Sequence, residues 1–220
     1  MYTSSSGTGK SPRHARIAGK TNASAAPSVA AIAIARPRLS PRRARLIPSS
    51  VPIAEDDDKA YWGEVEEATE LLAEERFRDA LAALRDVAKR SPKNHYAYYF
   101  SAIALFEIGE LAPARDAYRA CLALAPAHLG ARVALSHVLR QLGDAKGAIQ
   151  EGARALSQSP GDAEALHAVG LAYLERGDET AAKKYLEAFL DTKPELEVAV
   201  EVRAILAQIS PKNEKSGREN

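Results

Sequence analysis

Four prolines divide the chain between residues 92 and 194 into equal steps. Pro92, Pro126, Pro160 and Pro194 are separated by 34 residues each. A fixed interval of this length is typical of stacked repeats, in which each unit buries its apolar face against the next unit. Because proline has no backbone N–H and cannot continue a helix, each proline is predicted to close a unit. The interval therefore predicts a helical repeat protein.

Other residue types recur at the same interval. When Ala163 is numbered as position 1 of the last unit, positions 8 and 20 carry Ala, Ser or Gly in every unit, which allows two helices to approach closely. Position 15 is Gly109, Gly143 and Gly177 in three units, and glycine adopts the left-handed conformation that ends a helix without a steric penalty. The first unit departs from the pattern because Glu75 occupies this position.

The third unit departs from the pattern at two positions that are usually bulky and apolar. Arg132 stands at position 4 and Gly152 at position 24. A glycine in the middle of a helix costs about 1 kcal/mol relative to alanine. Looser packing is therefore predicted in this unit.

This set of positions resembles the tetratricopeptide repeat family, and the resemblance covers residues 59–209. It implies an all-α fold, a right-handed superhelical solenoid of four helical hairpins whose first helices line a concave groove. The predicted domain spans residues 55–209, with repeats at about 61–94, 95–128, 129–162 and 163–194 and a capping helix at 195–209. The family binds peptides, helices or protein segments in the groove and has no chemistry of its own.

The resemblance also indicates which side chains face the groove, namely positions 2, 5, 6, 9, 12 and 13 of each first helix. Those that we predict to contact a partner are Trp62, Val65, Thr69, Tyr96, Tyr99, Phe100, Ile103, Phe106, Val133, His137, Arg140, His167 and Leu171. The second repeat is the most aromatic, and contiguous exposed apolar surface is typical of an interface. For Phe100 and Phe106, packing between helices is an equally open alternative.

The kind of partner follows from the residues that are missing. Family members that clamp the carboxylate end of chaperones carry Lys and Asn at positions where this chain has Val65, Thr69 and Phe100. We therefore expect an apolar or amphipathic protein segment in the groove. The functional hypothesis is a non-catalytic interaction scaffold. The alternatives are a dedicated chaperone of a secretion or assembly system and an accessory subunit of an envelope or transferase complex.

Residues with potential chemistry are few. His137 and His167 lie at positions 9 and 5 of neighbouring repeats and are predicted to approach each other, but no cysteine or paired carboxylate is placed to complete a metal site. Cys121 at position 27 is interpreted as a small core residue. Because no nucleotide-binding or hydrolase motif occurs, we expect no enzyme activity, no cofactor and no metal.

Charge separates an N-terminal arm from the repeats. Residues 1–54 contain nine Lys and Arg and no Asp or Glu, whereas residues 55–220 contain 21 basic and 29 acidic side chains. The arm is rich in Ser, Ala, Pro and Arg, which predicts disorder, and the polar tail at 210–220 is also predicted to be disordered.

Four interpretations of the arm remain open. It is an organellar transit peptide if the source is eukaryotic, a polybasic tether for nucleic acid or anionic lipid, a leader without function, or an internal ligand whose residues 28–35 occupy the groove. Its longest apolar run, residues 29–35, is too short to span a bilayer. We therefore expect no transmembrane segment and a cytoplasmic location, or an organellar one in the transit-peptide case.

Overall fold

The computed structural model describes residues 55–209, which form α-helices joined by short turns and contain no strand. The helices are α1 (Glu55–Ala73), α2 (Phe77–Arg90), α3 (His95–Glu107), α4 (Leu111–Leu124), α5 (Leu129–Gln141), α6 (Ala145–Gln158), α7 (Ala163–Glu175), α8 (Glu179–Asp191) and α9 (Leu196–Ile209). The arm and the tail lie outside the described residues, so the interpretations of both stay predictions.

Consecutive helices pair into four hairpins, α1 with α2, α3 with α4, α5 with α6, and α7 with α8. Because the turns are short, the two helices of a hairpin run antiparallel. The second helix of each of the first three hairpins packs on the first helix of the next one. New hairpins begin at His95, Leu129 and Ala163, the three positions at which the 34-residue frame starts a unit. The predicted all-α repeat fold is therefore confirmed.

A polar residue at the end of each unit starts the following first helix. Asn94, His128 and Asp162 each accept a hydrogen bond from a backbone N–H in the first helical turn. Such a cap satisfies a donor that has no partner within the helix. The imidazole of His128 accepts through Nδ1 and can do so only while that nitrogen carries no proton. Burial lowers the pKa of His128 to about 4, which keeps this cap intact near neutral pH.

The turns inside the hairpins have the predicted left-handed residue. Gly109, Gly143 and Gly177 have φ values of 86°, 79° and 80°. Glu75, at the same position of the first unit, is also left-handed, with φ of 58°. The turn of the first hairpin therefore has the same left-handed backbone conformation as the other three turns, although the side chain of Glu75 disfavours that conformation.

Alanine at position 20 places the two helices of each hairpin in close contact. Ala80, Ala114, Ala148 and Ala182 are all completely buried. Cys121 is likewise buried, and this burial raises the pKa of its thiol to about 12. The interpretation of Cys121 as a core residue is confirmed.

Gly152 contradicts the prediction of loose packing in the third unit. A Cβ atom at this residue would lie 2.4 Å from Cγ2 of Val169 and 3.3 Å from Oγ of Ser136. Real Cβ atoms do not come this close to a neighbour, because van der Waals contact between carbons begins at about 3.5 Å. The missing side chain therefore allows α6 to pack tightly on α7.

Arg132 behaves differently from Gly152. Its guanidinium donates to Glu151 at 2.8 Å and to the carbonyl of Pro126. An open cavity of about 380 Å³ borders this arginine, lined by residues of α4, α5 and α6 and of the α5–α6 turn. Arg132 therefore takes part in hydrogen bonds instead of filling the space between helices, and looser packing at this residue stays a prediction.

The last helix, α9, packs on the fourth hairpin as a cap. Val202 and Ile205 form a cluster with Leu186 and Phe189 of α8. The opposite face of α9 is open, since Leu196 is 75% exposed and Val200 is 56% exposed. The helix covers the end of the stack and presents apolar surface of its own.

Candidate functional site

All the residues predicted to contact a partner lie on the first helices α1, α3, α5 and α7, whose combined surface we call the first-helix surface. The structure divides them by burial. The half-buried side chains are Trp62, Thr69, Tyr99, Ile103, Phe106, His137, Arg140 and His167. The buried side chains, which belong to the core, are Val65, Tyr96, Phe100, Val133 and Leu171.

The aromatic residues of α1 and α3 form one packed cluster. Trp62 meets Tyr96 edge to face at a centroid distance of 5.4 Å and Phe100 at 5.8 Å. Edge-to-face contacts of this kind add about 0.5–1.5 kcal/mol to the effect of burial. Only 4% of Tyr96 and 3% of Phe100 is exposed. The expectation of an open aromatic face is therefore wrong at Tyr96, because α1 covers it, and Phe100 follows the alternative of packing between helices.

The hydroxyl of Tyr96 explains how a tyrosine is tolerated in this core. It donates to the carboxylate of Asp58, with distances of 3.1 and 3.2 Å to the two oxygens. Burial, together with the Asp58 charge, raises the pKa of Tyr96 well above its usual value, so the phenol stays protonated. His95 Nε2 lies 4.0 Å from the same carboxylate. Asp58 thus ties the beginning of α1 to the beginning of α3.

Asn94 adds a second connection between these helices. Its side-chain amide donates to the carbonyl of Tyr61 at 2.9 Å and to the carboxylate of Glu64 at 3.0 Å, while its oxygen caps α3. Asn94 and His128 were not among the predicted site residues, although both occupy position 34 of their units. The recurrence of a polar residue at that position is the signal that identifies them.

A strip of half-buried apolar side chains continues along α3 beyond the packed cluster. Tyr99 lies 5.2 Å from Phe100 and 4.5 Å from the His128 ring, measured between centroids. Burial raises the pKa of Tyr99 to about 12, so it is neutral near physiological pH. Ile103 and Phe106 follow on the same helix. Tyr99, Ile103 and Phe106 pack on one side against the core cluster that includes Ala131 and Leu135 of α5.

A polar group occupies α5 and α7. The rings of His137 and His167 are 6.0 Å apart, as predicted from their positions, and His167 stacks on Phe189 at 4.7 Å. Burial lowers the pKa of His137 to about 3, helped by the nearby charges of His167 and Arg140. Burial likewise lowers the pKa of His167 to about 4. Both imidazoles are therefore neutral at pH 7.

Arg140 carries the positive charge of this polar group. Its guanidinium pairs with Glu175 at 3.5 Å, and its Nε is buried without a hydrogen-bond partner. Burial lowers the pKa of Arg140, although Glu175 opposes the shift. Within residues 55–209, no three His, Cys, Asp or Glu side chains are arranged to hold a metal ion. Arg140 therefore adds a positive charge to this part of the first-helix surface.

The stacked hairpins and the half-buried strip on their first helices define a scaffold for protein interactions. The chain belongs to the tetratricopeptide repeat family. Family models with this description match residues 65–128, 114–163 and 163–196. No curated protein matches the chain in sequence. In the described part of the chain, no helix has the length and apolar character needed to cross a membrane.

Solved structures share the same fold. The crystal structure of MamA protein is 26% identical, with a TM-score of 0.56 over 64% of this chain and 80% of that chain. MamA 41-end from Desulfovibrio magneticus RS-1 is 23% identical, with a TM-score of 0.61, covering 70% and 84% of the two chains. PilW, described as a widely conserved type IV pilus biogenesis factor, is 20% identical, with a TM-score of 0.61 over 68% and 71%. The last two likenesses, below 25% identity, concern the fold alone.

Proposed function

We propose that this protein is a non-catalytic scaffold that binds an apolar or amphipathic peptide or helix along its first-helix surface. The observation that carries the proposal is the strip formed by Tyr99, Ile103 and Phe106, whose side chains are half-buried along α3. Aromatic and aliphatic side chains of this kind anchor partners, because they remove much apolar area from water at little conformational cost. Trp62 extends the strip onto α1.

The polar group on α5 and α7 supplies the second half of the site. A partner that lies along α3 and continues to α7 brings its next turn towards Arg140. A carboxylate there can pair with the exposed part of the Arg140 guanidinium in a partly dehydrated setting, where a charge-assisted hydrogen bond is strong. The proposed partner is therefore amphipathic, with apolar anchors for α3 and an acidic residue for Arg140.

The non-catalytic part of the proposal has separate support. The one cysteine is inside the core with a raised pKa, so its thiolate is not available as a nucleophile at neutral pH. Members of the tetratricopeptide repeat family are generally scaffolds. The proposal is accordingly that any reaction associated with this protein is carried out by the bound partner.

A displayed library of random peptides, selected on the full chain, tests the proposal. Selected peptides should lose at least about tenfold in affinity when Ile103→Asp places a charge in the strip, since an unpaired charge in an apolar contact costs more than about 1.4 kcal/mol. Leu124→Asp is the matched control, because Leu124 is an exposed apolar residue on α4, outside the first-helix surface. An equal loss of peptide affinity in both variants, or no loss in either variant, contradicts the proposed site.

The acidic anchor is tested in the same experiment. Arg140→Gln should reduce the enrichment of Asp and Glu among the selected peptides while leaving their apolar residues unchanged. A library that shows no acidic preference on the unmodified chain contradicts this part of the proposal and leaves the apolar strip as the site.

A further inference from the structure

Gly130 is the second residue of α5 and lies beside Tyr99 of the neighbouring repeat. A Cβ atom at this residue would stand 3.1 Å from the hydroxyl oxygen of Tyr99 and 3.7 Å from its Cζ. The shorter contact is tighter than nine in ten contacts of real Cβ atoms, so Tyr99 would have to move by a few tenths of an ångström. The missing side chain therefore provides the space that the end of the Tyr99 side chain occupies.

The ring of Tyr99 has little room to move away from a side chain at Gly130. Its centroid lies 4.5 Å from the ring of His128, 5.2 Å from that of Phe100 and 6.0 Å from that of Tyr118. These three rings are themselves buried. Because a packed interior has few voids, Tyr99 can yield to an added side chain only by giving up part of its present packing.

The junction between the first two repeats has the reverse arrangement of large and small residues. There, position 5 carries Val65 and position 2 of the next repeat carries Tyr96, and both belong to one buried cluster. At the following junction, position 5 carries Tyr99 and position 2 carries Gly130. In both cases a large ring at one position is paired with a smaller residue at the other. The ring is buried in the first junction and half-buried in the second.

We propose that Gly130 is a positioning residue of the partner-binding site, whose missing side chain fixes the orientation in which Tyr99 contacts the partner. The inference rests on the proposed function, in which the strip of Tyr99, Ile103 and Phe106 binds a peptide or helix. A side chain that already has its bound orientation loses little conformational freedom when the partner binds, and this favours affinity. Gly130 acts through Tyr99 and needs no contact with the partner itself.

Peptides selected from the random library on the full chain measure the effect on affinity. Gly130→Ala should weaken their binding by at least about fivefold, which is part of the effect of truncating a central aromatic anchor. Gly63→Ala is the matched control, because Gly63 is an exposed glycine of α1 and no atom lies within 4 Å of its Cβ position. The control should bind as the unmodified chain does. Unchanged binding to Gly130→Ala overturns the proposal.

A double-mutant cycle shows whether the effect passes through Tyr99. Tyr99→Phe removes the oxygen that stands 3.1 Å from the Cβ position of Gly130 and leaves Cζ at 3.7 Å, an ordinary contact distance. In the Tyr99→Phe chain, Gly130→Ala should therefore change peptide affinity by less than about twofold, the limit within which independent sites add. The same loss of affinity with and without the hydroxyl would mean that the alanine acts on the partner directly, contrary to the proposal.

Urea unfolding gives a readout that needs no peptide. Alanine is a better helix former than glycine, so Gly130→Ala should raise the midpoint in the Tyr99→Phe chain, whereas contact with the hydroxyl should cancel this rise in the unmodified chain. Equal rises in both would show that Tyr99 yields freely and would overturn the proposal. If no selected peptide depends on Ile103, the proposed function fails and the positioning role with it. Peptides that depend on Ile103 but not on Gly130 contradict the positioning role alone.

Discussion

The junction between the first two repeats is filled by large side chains, whereas the junction between the last two is formed by the close approach of a helix backbone. Position 24 is Leu84 in the first repeat and Gly152 in the third. Trp62, Tyr96 and Phe100 fill the first junction with rings, whereas at Gly152 the backbone of α6 itself approaches α7. The repeat interval determines the order of the helices, and side-chain volume determines how each junction is filled. The first junction should therefore be sensitive to loss of volume and the last to added volume.

Truncation of a ring in the first junction has the largest expected effect. Phe100→Ala removes a side chain that is only 3% exposed, and such changes cost about 3–5 kcal/mol through lost burial and the remaining cavity. Trp62 is the only tryptophan of the chain and lies against Phe100, so its fluorescence reports this junction. In urea, the fluorescence midpoint should fall further than the circular-dichroism midpoint. A loss below about 1 kcal/mol would mean that the ring cluster does not hold the junction.

Enlargement of the last junction comes next. Gly152→Leu forces atoms into the space occupied by Val169 and should cost about 2 kcal/mol, within the range for overpacked cores. Gly63→Leu is the matched control, since Gly63 also lies inside a helix but has no atom within 4 Å of its Cβ position. The control should be neutral or stabilising by up to about 1 kcal/mol. Urea unfolding of both variants compares them directly; similar losses would refute the close approach of α6 and α7.

Acid sensitivity distinguishes the last junction in a further way, through the half-buried pair His137 and His167. The pKa of His137 is about 3 in the folded protein, and an unfolded histidine has a pKa near 6.5. The unfolded state therefore binds more protons between these values. The stability that the neutral ring contributes is complete above pH 6.5 and is lost progressively as the pH falls towards 3.

His137→Gln removes this titration without removing the other histidines. Between pH 7 and pH 5.5, the unmodified chain should lose about 1 kcal/mol more than the variant in free energy of unfolding. Urea titrations at the two pH values give the change in the free energy of unfolding for each protein. Because only these changes are compared, a general effect of the substitution on stability cancels. Identical pH dependence in the two proteins would show that His137 is accessible to protons in the folded state.

The residues that made the fold predictable act locally. Gly109 must adopt a left-handed φ to end α3, and Ala114 must be small for α4 to approach α3. Each requirement concerns one turn or one hairpin and has few chemical solutions, so the residue type indicates the structure. The same reasoning explains why His137 and His167 could be placed near each other from their positions in neighbouring units.

Whether a site residue is buried depends on contacts between neighbouring repeats. The spacing of residues along the sequence carries no information on these contacts. Tyr96 stands at a position that is usually open, yet Trp62 and Asp58 of the first unit cover it and satisfy its hydroxyl. The poor helix propensity of Gly152 predicts a weak point, but the close contact with Val169 outweighs the propensity. In both cases the deciding neighbour lies on another helix, and its side chain sets the outcome.

A substitution in the turn of the first hairpin has the smallest expected effect. It tests whether a single residue determines the conformation of the turn. Glu75 has φ of 58°, where Gly177 of the last hairpin has φ of 80°. Steric repulsion destabilises a non-glycine residue in this region by about 1–2 kcal/mol. Replacement by glycine removes this repulsion, but part of the gain in stability is lost because glycine loses more conformational entropy on folding. Glu75→Gly should therefore stabilise the protein by about 0.5 kcal/mol, seen as a higher urea midpoint. Gly177→Ala imposes the same conformation on a side chain and should lower the midpoint by at least as much; shifts in the opposite directions would contradict the left-handed requirement at position 15.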